Sequence, residues 1–264
     1  MSDVDDVNLQ SRIAVVTGGA SGIGAATARA LGARGARVVV ADVTDAAEMV
    51  AREIGGSAFH ADVGDEAAVE ALAHRVETEV GPVAILVNSA GIIQRPVAPQ
   101  DLPMKDWDDV VRVDQRGTWL TSLAFGRRMA ARGAGAIVNI ASIAGMRSMP
   151  LHAYAPAKAA VISMTECLAA EWGPSGVRVN AVSPGYTLTP ALQRAIDAGE
   201  RDVSLLAANA ALQRMVRPEE IAAAVCFLAS DAARAITGVN LPVDAGWLVA
   251  TSWAGYGGLR SQRA

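Results

Sequence analysis

The sequence is short of cysteine, of aromatic residues and of charge. Two cysteines, Cys167 and Cys226, stand among 264 residues, each within an apolar helical pattern and apart from any CxxC or Cys/His grouping. That argues against a disulfide framework and against a zinc site. Lys and Arg number 23 against 27 Asp and Glu, a net charge of −4. Without a basic surplus there is no cationic field to hold a phosphate backbone, so nucleic acid is not an expected partner. No apolar run approaches the roughly 18 residues that span a bilayer. The opening MSDVDDVNLQ is acidic where a secretory or transit peptide needs positive charge. The expectation is a cytoplasmic protein with no membrane partner, whose residues 1–8 form a loose polar tail.

What the chain has is apolar content, at 52%, with charged residues at 19%. This is a composition that collapses around a core. Short β-branched runs recur at 13–17, 38–41, 84–88, 136–140, 177–182 and 240–244 and read as buried strands. Between them lie Ala-rich segments with helical spacing: 22–34, 45–54, 65–80, 104–132, 154–172 and 218–229. Asp65 is placed as an N-cap, and Pro218 with Glu219 and Glu220 marks another helix start. Continuous apolar strands alternating with helices imply a doubly wound α/β domain, a parallel sheet covered on both faces. With no linker or composition shift, residues 1–264 read as one domain. The least regular part, 186–216, follows a strand end, where such folds place substrate loops and lids.

The first strand runs into TGGASGIG, Thr17 to Gly24, and then a helix. Glycines allow the tight turn and let backbone N–H groups approach a pyrophosphate at the positive end of a helix. The spacing here is Gly18, three residues, Gly22, one residue, Gly24, which is not GxGxxG. Gly also serves ordinary strand-to-helix turns, so it is the place after the first strand of a βαβ unit that gives the cradle Gly18, Ser21, Gly22, Ile23 and Gly24 its meaning. Asp42 ends the second strand, 18 residues beyond Gly24, where a carboxylate can accept both ribose hydroxyls of an adenosine. A 2′-phosphate there would meet its charge, and neither Ser21 nor Val43 is basic. The cofactor expected is therefore NAD rather than NADP. The plain alternative for Asp42 is a solvated strand-end residue.

TGGASGIG, ADV (61–63), NSAG (88–91), NIAS (139–142), YAPAK (154–158) and SPGYTLT (183–189) fall in the order of the short-chain dehydrogenase/reductase family. The sequence resembles that family over nearly its whole length. The resemblance implies that Asp62 and Val63 flank the adenine and that Asn88, Ala90 and Gly91 border the cofactor. It also implies that Pro184, Gly185 and Thr187 hold the nicotinamide carboxamide.

Tyr154 and Lys158 are spaced i, i+4, so on a helix they share a face, and Pro156 confines the pair to the first turn. A phenol is a poor base at neutral pH, but an adjacent ammonium favours phenolate and makes it a usable acid/base. Lys158 would also, by resemblance, hold the nicotinamide ribose. Ser142, twelve residues before Tyr154, would hydrogen-bond the substrate oxygen. That spacing is about one residue tighter than is usual in the family. Two positions depart from the family pattern. Where relatives carry Asn in a VN pair, thought to anchor a water in a relay to the lysine, this chain has Val113 and Asp114. If the main-chain carbonyl does that work, Asp serves; if the carboxylate faces Lys158, it partly cancels the field on Tyr154. The expectation is a tolerated variant, with Asp114 counted in the catalytic set and Val113 beside the cofactor. The second departure is Ser89 in NSAG for the commoner NNAG, where little loss is expected.

A substrate pocket is expected from Ile93 and Gln94, from Met146, Met149, Leu151 and His152, and from Tyr186 and the irregular segment beyond it. Such a mix suits a small or medium alcohol, although a lone His is more often a local hydrogen bonder and Met and Leu serve equally as packing. The C-terminal 247–264 carries Trp247, Trp253 and Tyr256 among glycines. By resemblance, Trp253 or Tyr256 would help close a partner's site in a homotetramer; the local alternative is a cap on its own subunit. Segments 104–132 and 154–172 would form the family's four-helix dimer interface, or simply pack on their own sheet. The motif wording is similar to NAD-dependent polyol and sugar-alcohol dehydrogenases. The rivals are a 3-oxoacyl carrier-protein reductase, disfavoured by Asp42 and the net charge, and a non-catalytic dinucleotide-binding protein, disfavoured by the intact Ser142, Tyr154 and Lys158.

Overall fold

The computed structural model describes residues 7–199 and 203–260. Strands β1 (Ile13–Thr17), β2 (Arg37–Asp42) and β3 (Ser57–His60) alternate with helices α1 (Gly22–Gly32), α2 (Ala46–Glu53) and α3 (Glu66–Glu79). Strand β4 (Val83–Asn88) leads to α4 (Met104–Val110), a π-helical stretch (Val111–Gly117) and α5 (Thr118–Arg132). Then come β5 (Gly135–Ile140), α6 (Tyr154–Trp172), β6 (Val177–Pro184), α7 (Pro190–Asp197), α8 (Ser204–Ala208), α9 (Pro218–Ala229), β7 (Asn240–Val243) and α10 (Trp247–Ala250). All neighbouring strands pair in parallel, in the order β3-β2-β1-β4-β5-β6-β7.

Side chains alternate faces along a strand, and that alternation divides the core in two. Ala14, Val16, Val38, Val40, Val138 and Ile140 point to one face and bury Leu31 of α1 with Ile221, Val225 and Leu228 of α9. Ile13, Val15, Val39, Ala41, Ile137 and Val179 point to the other and bury Leu72 and Val76 of α3 with Phe125 and Met129 of α5. A strand buried on both faces cannot show polar alternation, which is why these runs read as continuously apolar. Cys226 belongs to this core, and burial pushes its thiol up to about 11. It is inert packing.

Several sequence expectations need correction. The short strand β3 was missed because SAFH has no β-branched residue. The helix read across 104–132 is interrupted by the π-helical stretch, where the Thr118 hydroxyl donates to the Asp114 carbonyl at 2.7 Å and the Thr121 hydroxyl to the Gly117 carbonyl at 2.8 Å. These hydroxyls occupy carbonyls that a wider helical turn leaves poorly paired. The irregular segment 186–216 holds α7 and α8, and its residues 200–202 lie outside the described ones. Of the expected tail 1–8, residues 1–6 lie outside the described residues, while Val7 packs on the core.

The chain runs outward through β1, β2 and β3, then returns to lay β4 on the other side of β1. At such a reversal the loops leaving the strand ends diverge and open a crevice, the usual ligand site of this architecture.

Candidate active site

A cavity of about 1040 Å³ occupies that crevice. Its wall is built in turn by the loops after β1, β2, β3, β4, β5 and β6. Among its residues are Gly18, Ser21, Gly22, Ile23 and Gly24; Asp42; Asp62 and Val63; Ser89, Ala90 and Gly91; Val113 and Asp114; Ser142; Tyr154 and Lys158; and Pro184, Gly185, Tyr186 and Thr187.

At Gly18 and Gly24 the first turn has no room for a side chain. A Cβ on Gly18, where φ is +64°, would come within 2.6 Å of Ala90, and one on Gly24 within 2.1 Å of the Gly18 carbonyl. Ser21 precedes α1 without capping it through its side chain, so the helix presents its first amides to the cavity wall without a side-chain acceptor. Beside this turn, Asp42 is fixed by three donors: Ala20 N–H at 3.1 Å, Thr44 N–H at 3.0 Å and the Thr44 hydroxyl at 3.0 Å. Asp62 accepts from Gly64 N–H at 2.8 Å and pairs with Arg112 at 2.8 Å. Burial works to raise its carboxyl, but these partners, with His60, hold it below the usual range. A glycine turn, uncapped helix amides and an oriented carboxylate fit a nicotinamide dinucleotide.

The reactive end is assembled by α6. Lys158 Nζ lies 5.4 Å from the centre of the Tyr154 ring, as the i, i+4 spacing requires. Lys158 is 4% exposed; its ammonium donates to the Ile140 carbonyl at 3.0 Å and pairs with Asp114 at 3.0 Å. Burial opposes its charge, yet Asp114 and then Tyr154 outweigh that and raise its pKa above the ordinary lysine value. Asp114 is fully buried; its other carboxylate oxygen accepts from Ile92 N–H at 2.8 Å. Of the two arrangements open for Asp114, the structure has the carboxylate facing Lys158, while its main-chain carbonyl accepts from Thr118. Ser142 Oγ accepts from Ala144 N–H at 3.1 Å, so its own proton is free to be donated elsewhere. Gly145 lets this turn lie against α6, since a Cβ there would meet the Lys158 carbonyl carbon and the Ala159 nitrogen, each at 2.7 Å.

Four expected residues do not line the cavity. Asn88 is 3% exposed and its amide is used up within the core, donating to Ser122 and Asn139 and accepting from Thr121, so it braces the end of β4 instead of facing a ligand. Gln94 accepts from Ala153 N–H at 2.5 Å and Tyr154 N–H at 3.1 Å, turning toward the start of α6. Met146 is contacted by the Asn240 amide through its sulfur at 3.3 Å, and His152 is exposed. Ile93, Met149, Leu151 and Tyr186 do line it, Tyr186 meeting Trp247 edge to face at 5.6 Å. Burial pushes the Tyr186 phenol up. Trp253 and Tyr256 are 49% and 84% exposed; the last residues of their tail, 261–264, are not described. Thr189, Leu192 and Leu206, from the irregular segment expected beyond Tyr186, also line the cavity, although none of them was singled out from the sequence. Thr189 had a signal: a Thr before Pro190 is an N-cap pattern, and its hydroxyl accepts from Leu192 N–H at 3.3 Å.

Among the described residues no group of His, Cys, Asp and Glu is placed to hold a metal, and no helix is long and apolar enough to cross a membrane.

A family model described as enoyl-(acyl carrier protein) reductase matches residues 18–248. A D-threitol dehydrogenase of Mycolicibacterium smegmatis is 42% identical over 92% of this chain and 95% of its own. An NAD-dependent glycerol dehydrogenase of Listeria innocua is 39% identical over 92% and 96%. Among solved structures, a Brucella melitensis protein described as ribose-5-phosphate isomerase superposes with a TM-score of 0.93 at 56% identity, covering 96% of this chain and 99% of its own. A gluconate 5-dehydrogenase of Burkholderia cenocepacia, in complex with NADP and tartrate, gives 0.86 at 35%, covering 94% and 99%.

Proposed function

The chain belongs to the short-chain dehydrogenase/reductase family, an oxidoreductase acting by hydride transfer on secondary alcohols and ketones, and from that premise we propose the roles of its residues, its cofactor and its substrate class. The observation that carries the reading is one cavity holding Ser142, Tyr154 and Lys158 together with the glycine turn and Asp42.

The dinucleotide would be held by the turn at Gly18, Gly22 and Gly24, by Asp42 at the adenosine ribose, by Asp62 and Val63 near the adenine, and by Lys158 and Pro184 to Thr187 at the nicotinamide end. When bound, it supplies the hydride acceptor for oxidation and the donor for reduction. NAD is our assignment, because the Asp42 carboxylate would repel a 2′-phosphate and the Listeria relative is NAD-dependent by name. The Burkholderia structure with NADP keeps the comparison worth measuring.

In oxidation, Ser142 donates a hydrogen bond to the substrate oxygen and Tyr154 removes the hydroxyl proton; in reduction Tyr154 returns it. Lys158 is an ammonium that donates to the Ile140 carbonyl and pairs with the Asp114 carboxylate at 3.0 Å. Its charge, held in place by these partners, lies 5.4 Å from the centre of the Tyr154 ring.

For the substrate we favour a polyol or sugar alcohol, on the strength of the threitol and glycerol relatives. Aldose–ketose isomerisation, the name carried by the Brucella structure, needs no dinucleotide cradle and leaves Asp42 without a task. A carrier-protein reductase would gain from a basic surface, and this chain has a net charge of −4. A cytoplasmic homotetramer completes the proposal.

Initial rates over polyols, sugars and simple secondary alcohols test it, with NAD and NADP as alternatives and ribose 5-phosphate isomerisation as control. We expect NAD to exceed NADP at least tenfold in kcat/KM, the scale of about 1.4 kcal/mol of unfavourable charge contact. Equal use of both removes the role given to Asp42. Isomerisation without alcohol oxidation removes the hydride-transfer reading.

A further inference from the structure

Helix α6 carries Tyr154 at its first position and Lys158 one turn on, yet the residue before it, Ala153, has no side chain to cap the helix. The first amides of a helix lack intrahelical partners and need an acceptor from elsewhere. Here the acceptor comes from 59 and 60 residues away: Gln94 Oε1 takes the N–H groups of Ala153 and Tyr154 together. Gln94 is 6% exposed although Ile93 before it is 65% exposed, so the chain turns this one side chain inward from a surface loop.

The same loop is tied to α6 a second time. Ile92 N–H donates to Asp114, and Asp114 pairs with Lys158. Gly91 fits between, since a Cβ there would come within 2.8 Å of the Asp114 carboxylate and 3.5 Å of Lys158 Nζ. A closed ring results: from Gly91 and Ile92 through Asp114 to Lys158, along one turn of α6 to Tyr154, and through Gln94 back to the loop. The Asp114 tie fixes the lysine. The Gln94 tie fixes the backbone that carries the phenol.

We propose that Gln94 is a positioning residue for hydride transfer, clamping the loop after β4 to the first turn of α6 so that the Tyr154 hydroxyl is held at the reacting oxygen. It acts through the backbone of Tyr154 and touches no substrate. Small misplacements of a reacting group reduce the chemical step far more than they reduce binding, because alignment matters only as bonds change.

The test compares wild type with Gln94→Met, which keeps length and burial but has no strong acceptor; with Gln94→Asn, which keeps the amide but shortens its reach; and with Gln94→Glu, which keeps the reach and offers two acceptor oxygens at the favourable end of a helix. Steady-state kinetics with NAD and the best alcohol of the panel are recorded well below each variant's Tm. We expect Met and Asn to lower kcat at least tenfold with KM for NAD within about twofold, and Glu to restore most of the loss. A folded Met or Asn variant with wild-type kcat overturns the proposal. So does a loss that Glu leaves unrestored, or one in which Tm falls while kcat per folded molecule holds, which assigns Gln94 to stability alone. Should Met not fold, Asn and Glu decide by the same criteria. The proposal rests on the hydride-transfer reading, and wild-type turnover separates the two: its absence defeats that reading before any variant is compared.

Discussion

Asp114 and Lys158 form a buried ion pair whose members depend on each other. Removing one partner of such a pair leaves a charge stranded in the interior and costs about 3–5 kcal/mol. Asp114→Ala is expected to lose stability on that scale, measured by denaturant unfolding. Because Lys158 holds its proton more tightly folded than unfolded, the stability this adds is present below the ordinary lysine value of 10.5 and is lost as pH rises through the higher folded value. Asp114→Asn is the subtler variant: it keeps an acceptor for Ile92 N–H and removes the negative charge beside the ammonium. A stronger positive field on the neighbouring phenol favours its ionised form. The rising limb of kcat against pH for alcohol oxidation should therefore move to lower pH, with turnover at the plateau changed only modestly. A limb that moves up, or stays, contradicts the role given to this pair.

The elements that carry these residues differ in how openly the sequence announced them. The β1 turn was legible because glycine at positive φ and close backbone contact admit few substitutes, and Gly18 and Gly24 meet both conditions. The Tyr154 and Lys158 pair was legible because helical spacing alone places both on one face. Gln94 was misread as a pocket residue because its partners lie 59 and 60 residues onward, and no local pattern encodes a cap supplied from that distance. Asn88 was misread for a similar reason: its place in the family motif says nothing of the Ser122, Thr121 and Asn139 network that uses up its amide. Strand β3 escaped because parallel pairing with β2, rather than its own propensity, makes SAFH extended. The turn at Ile143 to Gly145 packs against α6. Gly145→Ala pushes a methyl into the backbone of Lys158 and Ala159. Displacing that turn by about 1 Å is expected to lower kcat by up to about a hundredfold, read by single-turnover kinetics, whereas unchanged chemistry would mean that the turn does not set the position of Ser142.

At the scale of the molecule, the order of strands decided where the chemistry would sit; the alternation of apolar runs and helices made a parallel sheet readable, but not the order of its strands. Assembly was less readable, because it depends on surfaces and not on the period of the core. Trp119 and Leu123 on α5 remain 41% and 39% exposed, a large apolar pair on the helix expected to meet a second copy. Light scattering should give the mass of a tetramer, and Trp119→Glu should lower it; a monomeric wild type would leave Trp119 as ordinary surface and remove the partner role from the C-terminal tail. In the proposed reaction, Tyr154 moves the proton in this crevice. The most direct test of that role is Tyr154→Phe, with NADH affinity measured by fluorescence beside turnover on the best alcohol of the panel. Affinity is expected within a few-fold of wild type and kcat reduced by roughly 10²–10⁴, the range of a lost general acid/base. Turnover that survives the substitution would contradict it.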